Sequence, residues 1–128
     1  MSGGEGTGSL QPPSTQSLML TFSNPAAPEM EDEYHRWYSQ VHIPQLLAHV
    51  PGLTAATRYR CGDGSPHRYL TVYQVEGSDR AVLQDLADRM ADGTLDRSPA
   101  LQRDPPPIMI FVDPIDDRGD PVTGPTDG

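Results

Sequence analysis

The sequence contains no lysine: all nine basic side chains are arginine, set against 18 acidic ones, for a formal charge of −9. An acidic chain without a basic cluster lacks the grouped cations that a phosphate backbone requires, which argues against nucleic acid as a partner. Anionic membrane surfaces are disfavoured for the same reason. No apolar run approaches the ~20 residues of a membrane span, and the N-terminus has neither the basic nor the apolar region of a secretory leader. The single cysteine, Cys61, excludes an intramolecular disulfide and any multi-cysteine metal site. These absences lead to the expectation of a cytoplasmic protein with no nucleic-acid partner and no membrane partner.

The middle of the chain differs from its ends. Residues 1–16 are Gly, Ser, Thr and Pro with almost no apolar content, and residues 116–128 are similar and acidic. Both stretches read as disordered tails. Residues 17–115 remain to form one small domain, enough to bury a core.

Within that domain, Glu29–Gly52 holds three of the four histidines, the only tryptophan and two of the five tyrosines. Pro28 suits a first helical position, and Glu29, Glu31, Asp32 and Glu33 crowd the end where the helix dipole favours anions. Met30, Tyr34, Trp37 and Val41 recur at helical spacing as an apolar stripe. Beside it runs a second stripe of His35, Tyr38, His42 and Gln45, with His49 joining if the helix runs straight. Pro44 interrupts this picture, because it removes a backbone donor, presses on the carbonyl of Gln40 and drives Ile43 out of helical angles. The helix is therefore expected to kink near His42, or to end there and restart at Pro44.

Elsewhere the periodicity is strand-like. Residues 17–23 alternate, Asn24-Pro25 turns the chain, and residues 52–60 and 68–76 form a pair of strands joined by a short Gly-rich loop, hence an antiparallel hairpin. On the first hairpin strand, simple alternation sets Leu53, Ala55, Thr57 and Tyr59 against Thr54, Ala56, Arg58 and Arg60. Its small central residues fit either a cavity or close helix packing. Ser78 caps a helix over residues 79–91 with Val82, Leu83, Leu86 and Met90 as its buried stripe. Residues 94–107 are irregular and end in Pro105–Pro107, and residues 108–112 fit a buried fourth strand. The order β-α-β-β-α-β is the α+β ferredoxin-like arrangement, a four-stranded antiparallel sheet with two helices on one face. The other face is left bare and apolar, so a homodimer packed sheet against sheet is expected.

Among candidate site residues, His42 stands first, since an imidazole near neutrality can take a proton and return it elsewhere. The alternative is that it only bonds backbone loosened by Pro44. Tyr38, one turn earlier, could donate a hydrogen bond to a substrate oxygen. Trp37 and Tyr34 fit either cavity walls or plain core. Tyr69 and Tyr73 share a strand face, and Tyr59 is a candidate for the same layer. Arg58 could hold a carboxylate or enolate, or lie in solvent. His35 is expected on the surface and His67 in a loop. His35, His42 and His49 are too far apart along one helix to share an ion, so no metal is expected. No phosphate-binding glycine loop follows a strand, so no nucleotide cofactor is expected, and the overall expectation is of no cofactor.

Tyr34, Trp37-Tyr38, His42, Pro44, Leu46-Leu47, Pro51-Gly52 and Arg58-Tyr59-Arg60 together resemble the pattern of the EthD-like group of the dimeric α/β-barrel superfamily. The resemblance covers most of residues 17–60 in detail and the rest by element order. It implies a ferredoxin-like protomer, a homodimer, and a small-molecule cavity between helices and sheet. The superfamily is diverse in chemistry, embracing cofactor-free cyclases, quinone-forming monooxygenases, isomerases, haem-handling enzymes and proteins with no assigned activity. The expected function is proton-transfer catalysis, a cyclase or isomerase of secondary metabolism, on a hydrophobic, oxygenated small molecule. His42 is the expected base, Tyr38 the expected donor, and Trp37, Tyr34, Tyr59, Tyr69, Tyr73 and Arg58 the expected binding residues. A dimeric binding protein and a cofactor-free monooxygenase are the alternatives.

Overall fold

The computed structural model describes residues 16–121; the expected disorder of residues 1–15 and 122–128 lies outside them. Residues 17–112 form one compact unit. Its strands β1 (Ser17–Ser23), β2 (Leu53–Arg60), β3 (Tyr69–Val75) and β4 (Ile108–Val112) make one antiparallel sheet in the order β2-β3-β1-β4. Between β1 and β2 run a short 3-10 turn, α1 (Glu31–Trp37), a π-helical turn (Tyr38–His42) and α2 (Ile43–His49); α3 (Asp79–Ala91) joins β3 to β4. This is the ferredoxin-like α+β arrangement expected from the element order. Outside that unit, Asp116–Pro121, expected as the start of a tail, forms a hydrogen-bonded turn in which Asp116 Oδ1 accepts from the amides of Arg118 and Asp120.

Met19, Leu46, Val50, Leu53, Tyr73 and Val82 bring both helical regions onto one side of the sheet and enclose the main core. Gly52 permits the tightest meeting there. A Cβ at that position would stand 2.6 Å from Val82 Cγ2 and 3.0 Å from the Glu76 carbonyl oxygen. Ser78 caps α3 as expected, its Oγ accepting from the Ala81 amide at 3.0 Å. The buried stripe of α3 is narrower than predicted. Val82 is fully enclosed and Leu86 packs against the core, whereas Leu83 and Met90 stay 44% and 41% exposed.

Two further corrections follow from the sheet. β2 carries a register irregularity, with Leu53 opposite Val75 but Ala55 opposite Gln74. The extra residue inverts the alternation, so Ala56 and Arg58 join Leu53 on the covered face while Tyr59 falls on the open one. β4 is not a buried strand. It is an edge strand beside β1, and Ile108, Met109 and Ile110 are each about 44–45% exposed; Phe111 alone of its residues packs on the core.

The open face carries Leu18, Leu20, Phe22, Leu70 and Val72, with Ile108 and Ile110 at its edge, as the pairings of β1 with β3 and β4 require. The segment between α3 and β4 is pinned to the β1–α1 connection: Ala26 N–H donates to the Ala100 carbonyl at 2.7 Å and Gln102 N–H to that of Asn24 at 2.9 Å.

Candidate functional site

A new α-helical segment restarts with Pro44 in its first turn, one of the two expected outcomes, but the chain does not leave helical angles on the way. Helical angles continue through His42 and Ile43, the latter at φ −61° and ψ −48°, contrary to the expectation that Ile43 leaves the helical region. One π turn absorbs the disturbance instead, with Ile43 N–H donating to the Tyr38 carbonyl five residues back. Pro44 then sits in the first turn of α2, where its missing N–H costs least.

The π turn has a side-chain consequence. Trp37 and His42 are five residues apart, a separation that an α-helix turns away from one face and an i→i+5 turn brings back into line. Their rings stack, with centroids 4.4 Å apart and planes inclined by 18°. Tyr38 meets the imidazole edge-on at 5.1 Å. His42 keeps a partly exposed edge, but its Nδ1 is enclosed and has no hydrogen-bond partner among the described residues; the same is true of Trp37 Nε1. Burial holds the His42 pKa down at about 4, so the ring is neutral near pH 7.

Trp37 and His42 form one wall of a cleft of about 250 Å³. Leu101, Pro106 and Pro107 come from the pinned segment and Met90 from α3, with Asp96, Ser98, Arg97 and Arg103 completing the lining. A larger depression of about 640 Å³ lies at the β2–β3 loop, lined by polar turn residues from Arg60 to Arg68. The smaller cleft is the better candidate, because its walls are apolar and charged side chains stand at its margin.

The other predicted residues sit elsewhere. Ser23 Oγ shares a hydrogen bond with the Tyr34 hydroxyl at 2.6 Å and donates to that of Tyr38 at 3.1 Å. Burial raises the Tyr34 pKa to about 12, against the opposing pull of Ser23, and burial likewise raises that of Tyr38. The Arg58 guanidinium lies 5.6, 5.0 and 5.9 Å from the ring centres of Tyr34, Tyr38 and Tyr69. It donates to His35 Nδ1 at 3.0 Å and to Ser39 Oγ at 3.3 Å. His35, expected on the surface, therefore belongs to a network that continues to Glu31, which also accepts from Tyr69 and pairs with Arg68 at 3.1 Å. The hydrogen bond from Tyr69, then His35 and Arg68, keeps the Glu31 pKa low.

Of the predicted site residues, His42 and Trp37 thus share the cleft. Tyr38 touches both rings but does not line it. Tyr34, Tyr69 and Arg58 form the second cluster. Tyr73 is fully buried in the core with an unpartnered hydroxyl, and Tyr59 is 52% exposed on the opposite face of the sheet. His67, placed in a loop by the sequence, is buried, at 7% exposure. Sequence reasoning missed Met90, Leu101, Arg97 and Arg103 as cleft residues. The Pro105–Pro107 run was the only visible signal of a rigid wall there.

The chain matches no protein-family model and no curated protein sequence. Solved structures do resemble it. A provisionally named monooxygenase from Shewanella loihica PV-4 is 15% identical, with a TM-score of 0.50, over 77% of this chain and 92% of that one. An EthD-like protein from Ralstonia eutropha JMP134 is 12% identical, with a TM-score of 0.50, over 77% and 92%. The chain has the ferredoxin-like fold of the EthD-like proteins. On this ferredoxin-like frame the Trp37–His42 cleft opens beside the helical layer and its neighbouring loop. No helix among the described residues is long and apolar enough to cross a membrane, and no group of three or more His, Cys, Asp or Glu among them could hold a metal ion.

Proposed function

We propose that this protein acts without a cofactor on a hydrophobic, oxygenated small molecule bound in the Trp37–His42 cleft, and that His42 moves a proton on it. The observation that carries the reading is the stacked Trp37–His42 pair on the wall of an apolar cleft, with a partly exposed, neutral imidazole.

The chemistry follows from the charge state. The unprotonated nitrogen of neutral His42 takes a proton from a carbon next to a carbonyl, and the C–H electron pair becomes an enolate. Reprotonation at another atom gives an isomer. Attack of the enolate carbon on a second carbonyl, with the proton delivered to the new alkoxide, closes a ring. A base held at about pKa 4 is always available at neutral pH but weak. It matches an acidic carbon, such as one flanked by two carbonyls in a polyketide-like or aromatic precursor. Trp37 then faces the imidazolium formed, a favourable cation–π arrangement. Tyr38 acts by positioning the ring, since its hydroxyl is engaged by Ser23.

The test is deuterium exchange at the central carbon of acyclic 1,3-diketones, which are not ionised at neutral pH and exchange slowly unaided, in D₂O, followed by NMR. The wild type accelerates exchange and a folded His42→Ala variant does not. Equal acceleration by both removes His42 as the base. The weakness of that base favours one second reading, a binding protein that holds such a molecule unchanged; it predicts retention of the diketone with no exchange. Oxygen uptake with phenolic compounds would instead align the chain with the chemistry named for the Shewanella structure.

The open sheet face supports a homodimer as the working form. Leu20, Phe22, Leu70 and Val72 form a contiguous apolar surface that no helix of the unit covers, and Ile108 and Ile110 extend it. Sedimentation should give a dimer for the wild type and a monomer for Val72→Arg; a monomeric wild type would overturn this.

A further inference from the structure

We infer that the ligand of this cleft carries an anionic oxygen group, a carboxylate or an enolate, held at the rim by Arg97 and Arg103 while its apolar body lies against Trp37. The inference rests on the proposed use of the cleft and adds the class of its ligand.

The argument begins with the scarcity of cations. Nine arginines face 18 acidic residues in the whole chain, so acidic partners are abundant. Arg36, Arg68 and Arg89 each take one, pairing with Glu33, Glu31 and Asp92. Five arginine side chains, Arg60, Arg80, Arg97, Arg103 and Arg118, have no ion pair or hydrogen bond among the described residues, and of these Arg97 and Arg103 line the same cleft. The one carboxylate in that lining, Asp96, is engaged from the other side: its Oδ2 accepts from Gln45 Nε2 at 3.1 Å, and its amide donates to Gln45 Oε1 at 2.8 Å. With His42 neutral, the cleft has two cations and one anion in a protein whose overall charge is strongly negative. Guanidinium is the side chain best shaped for a planar carboxylate or enolate.

The chemistry of the cleft points the same way. An imidazole as weakly basic as His42 can deprotonate carbon only if the resulting anion is stabilised, and fixed cations near the developing oxyanion do that.

Trp37 is the only tryptophan, so its fluorescence reports occupancy. The full chain is titrated with cyclohexylacetate and with its methyl ester, neither of which absorbs in the tryptophan band. The acid should bind at least about tenfold more tightly than the ester, the scale of a charge-assisted hydrogen bond. Arg97→Gln with Arg103→Gln should reduce the preference to within about twofold, and raised ionic strength should narrow it. Both arginines are exposed, and circular dichroism checks the fold. Arg80→Gln, on the exposed side of α3, should leave the preference unchanged. Equal binding of acid and ester, binding of neither, or a preference that survives loss of both arginines overturns the inference. His42-dependent exchange on diketones without carboxylate preference would defeat this inference alone; loss of that exchange, with carboxylate preference intact, would defeat the proton-transfer reading alone.

Discussion

Two groups of polar aromatic residues grow from the same helical stretch and differ in one respect. Around Ser23, Tyr34 and Tyr38, both hydroxyls are hydrogen-bonded, and Arg58 lies over the rings and finds His35 and Ser39. Around Trp37 and His42 the rings pack as closely, but two ring nitrogens have no partner. In the first group the tyrosine hydroxyls are satisfied, and only the neighbouring Thr21 Oγ1 and Tyr73 hydroxyl lack partners. In the second the paired rings carry the unsatisfied atoms themselves. The single π turn separates them, because it swings His42 from Tyr38's column into Trp37's.

The sharpest way to break this comparison is to replace His42 with leucine. If the residue works on a ligand, diketone exchange should fall by about 10²–10⁴, the usual worth of a positioned acid–base group. Stability to urea should stay level or rise, because an apolar side chain replaces a buried nitrogen with no partner. A large loss of stability would mean that the imidazole is structural, and the two groups would then be alike.

Acid separates them by a slightly smaller effect. Above pH 6.5, the ordinary histidine value, His42 is neutral whether the chain is folded or not. Below it, the unfolded chain takes up a proton that the folded site refuses until about pH 4. The unfolded state binds more protons in that window, so stability falls as pH drops from 6.5 to about 4 and the contribution levels off below. The gap corresponds to at most about 3–4 kcal/mol. Subtracting the curve of His42→Leu from that of the wild type isolates this slope from the carboxylates. A flat difference would mean that the ring is open to water.

Much of this was legible beforehand, and the parts that were not have physical causes. Strand and helix limits followed from period and punctuation, because alternation and capping are local. The residues 29–52 announced themselves by composition. The stacking of Trp37 on His42 could not be read, since it depends on a π turn, and proline alone does not tell a π turn from a kink. Arg58 and Tyr59 exchanged faces because one irregularity between Leu53 and Ala55 inverts the alternation that follows it. Arg97 and Arg103 lie in an irregular segment, where position is set by distant contacts such as Ala26 with Ala100 and not by period.

On the satisfied side, Ser23→Ala should cost about 1–3 kcal/mol, because it leaves two buried tyrosine hydroxyls short of a partner. Chemical denaturation measures this. Exchange activity should change much less than with His42→Leu, since Ser23 reaches the cleft only through Tyr38. A neutral result for stability would show that the hydroxyls find other partners and that the network is not what holds α1 to β1.

The smallest expected effect is at Tyr59, which alternation alone would have placed on the face of Leu53 and which the sequence reading offered to the site. It is 52% exposed and lies on the open face of the sheet, opposite Leu70. Tyr59→Ser should shift the stability of the monomeric Val72→Arg background by no more than about 0.5 kcal/mol and leave diketone exchange unchanged. In the wild-type background the same substitution should weaken self-association, because the ring adds to the apolar surface proposed to meet a second copy. A loss of exchange in the monomeric background would mean that the ring reaches the cleft after all. A loss seen only in the dimeric background would mean that the site is finished by the partner, and that the contrast drawn within one chain extends across the interface.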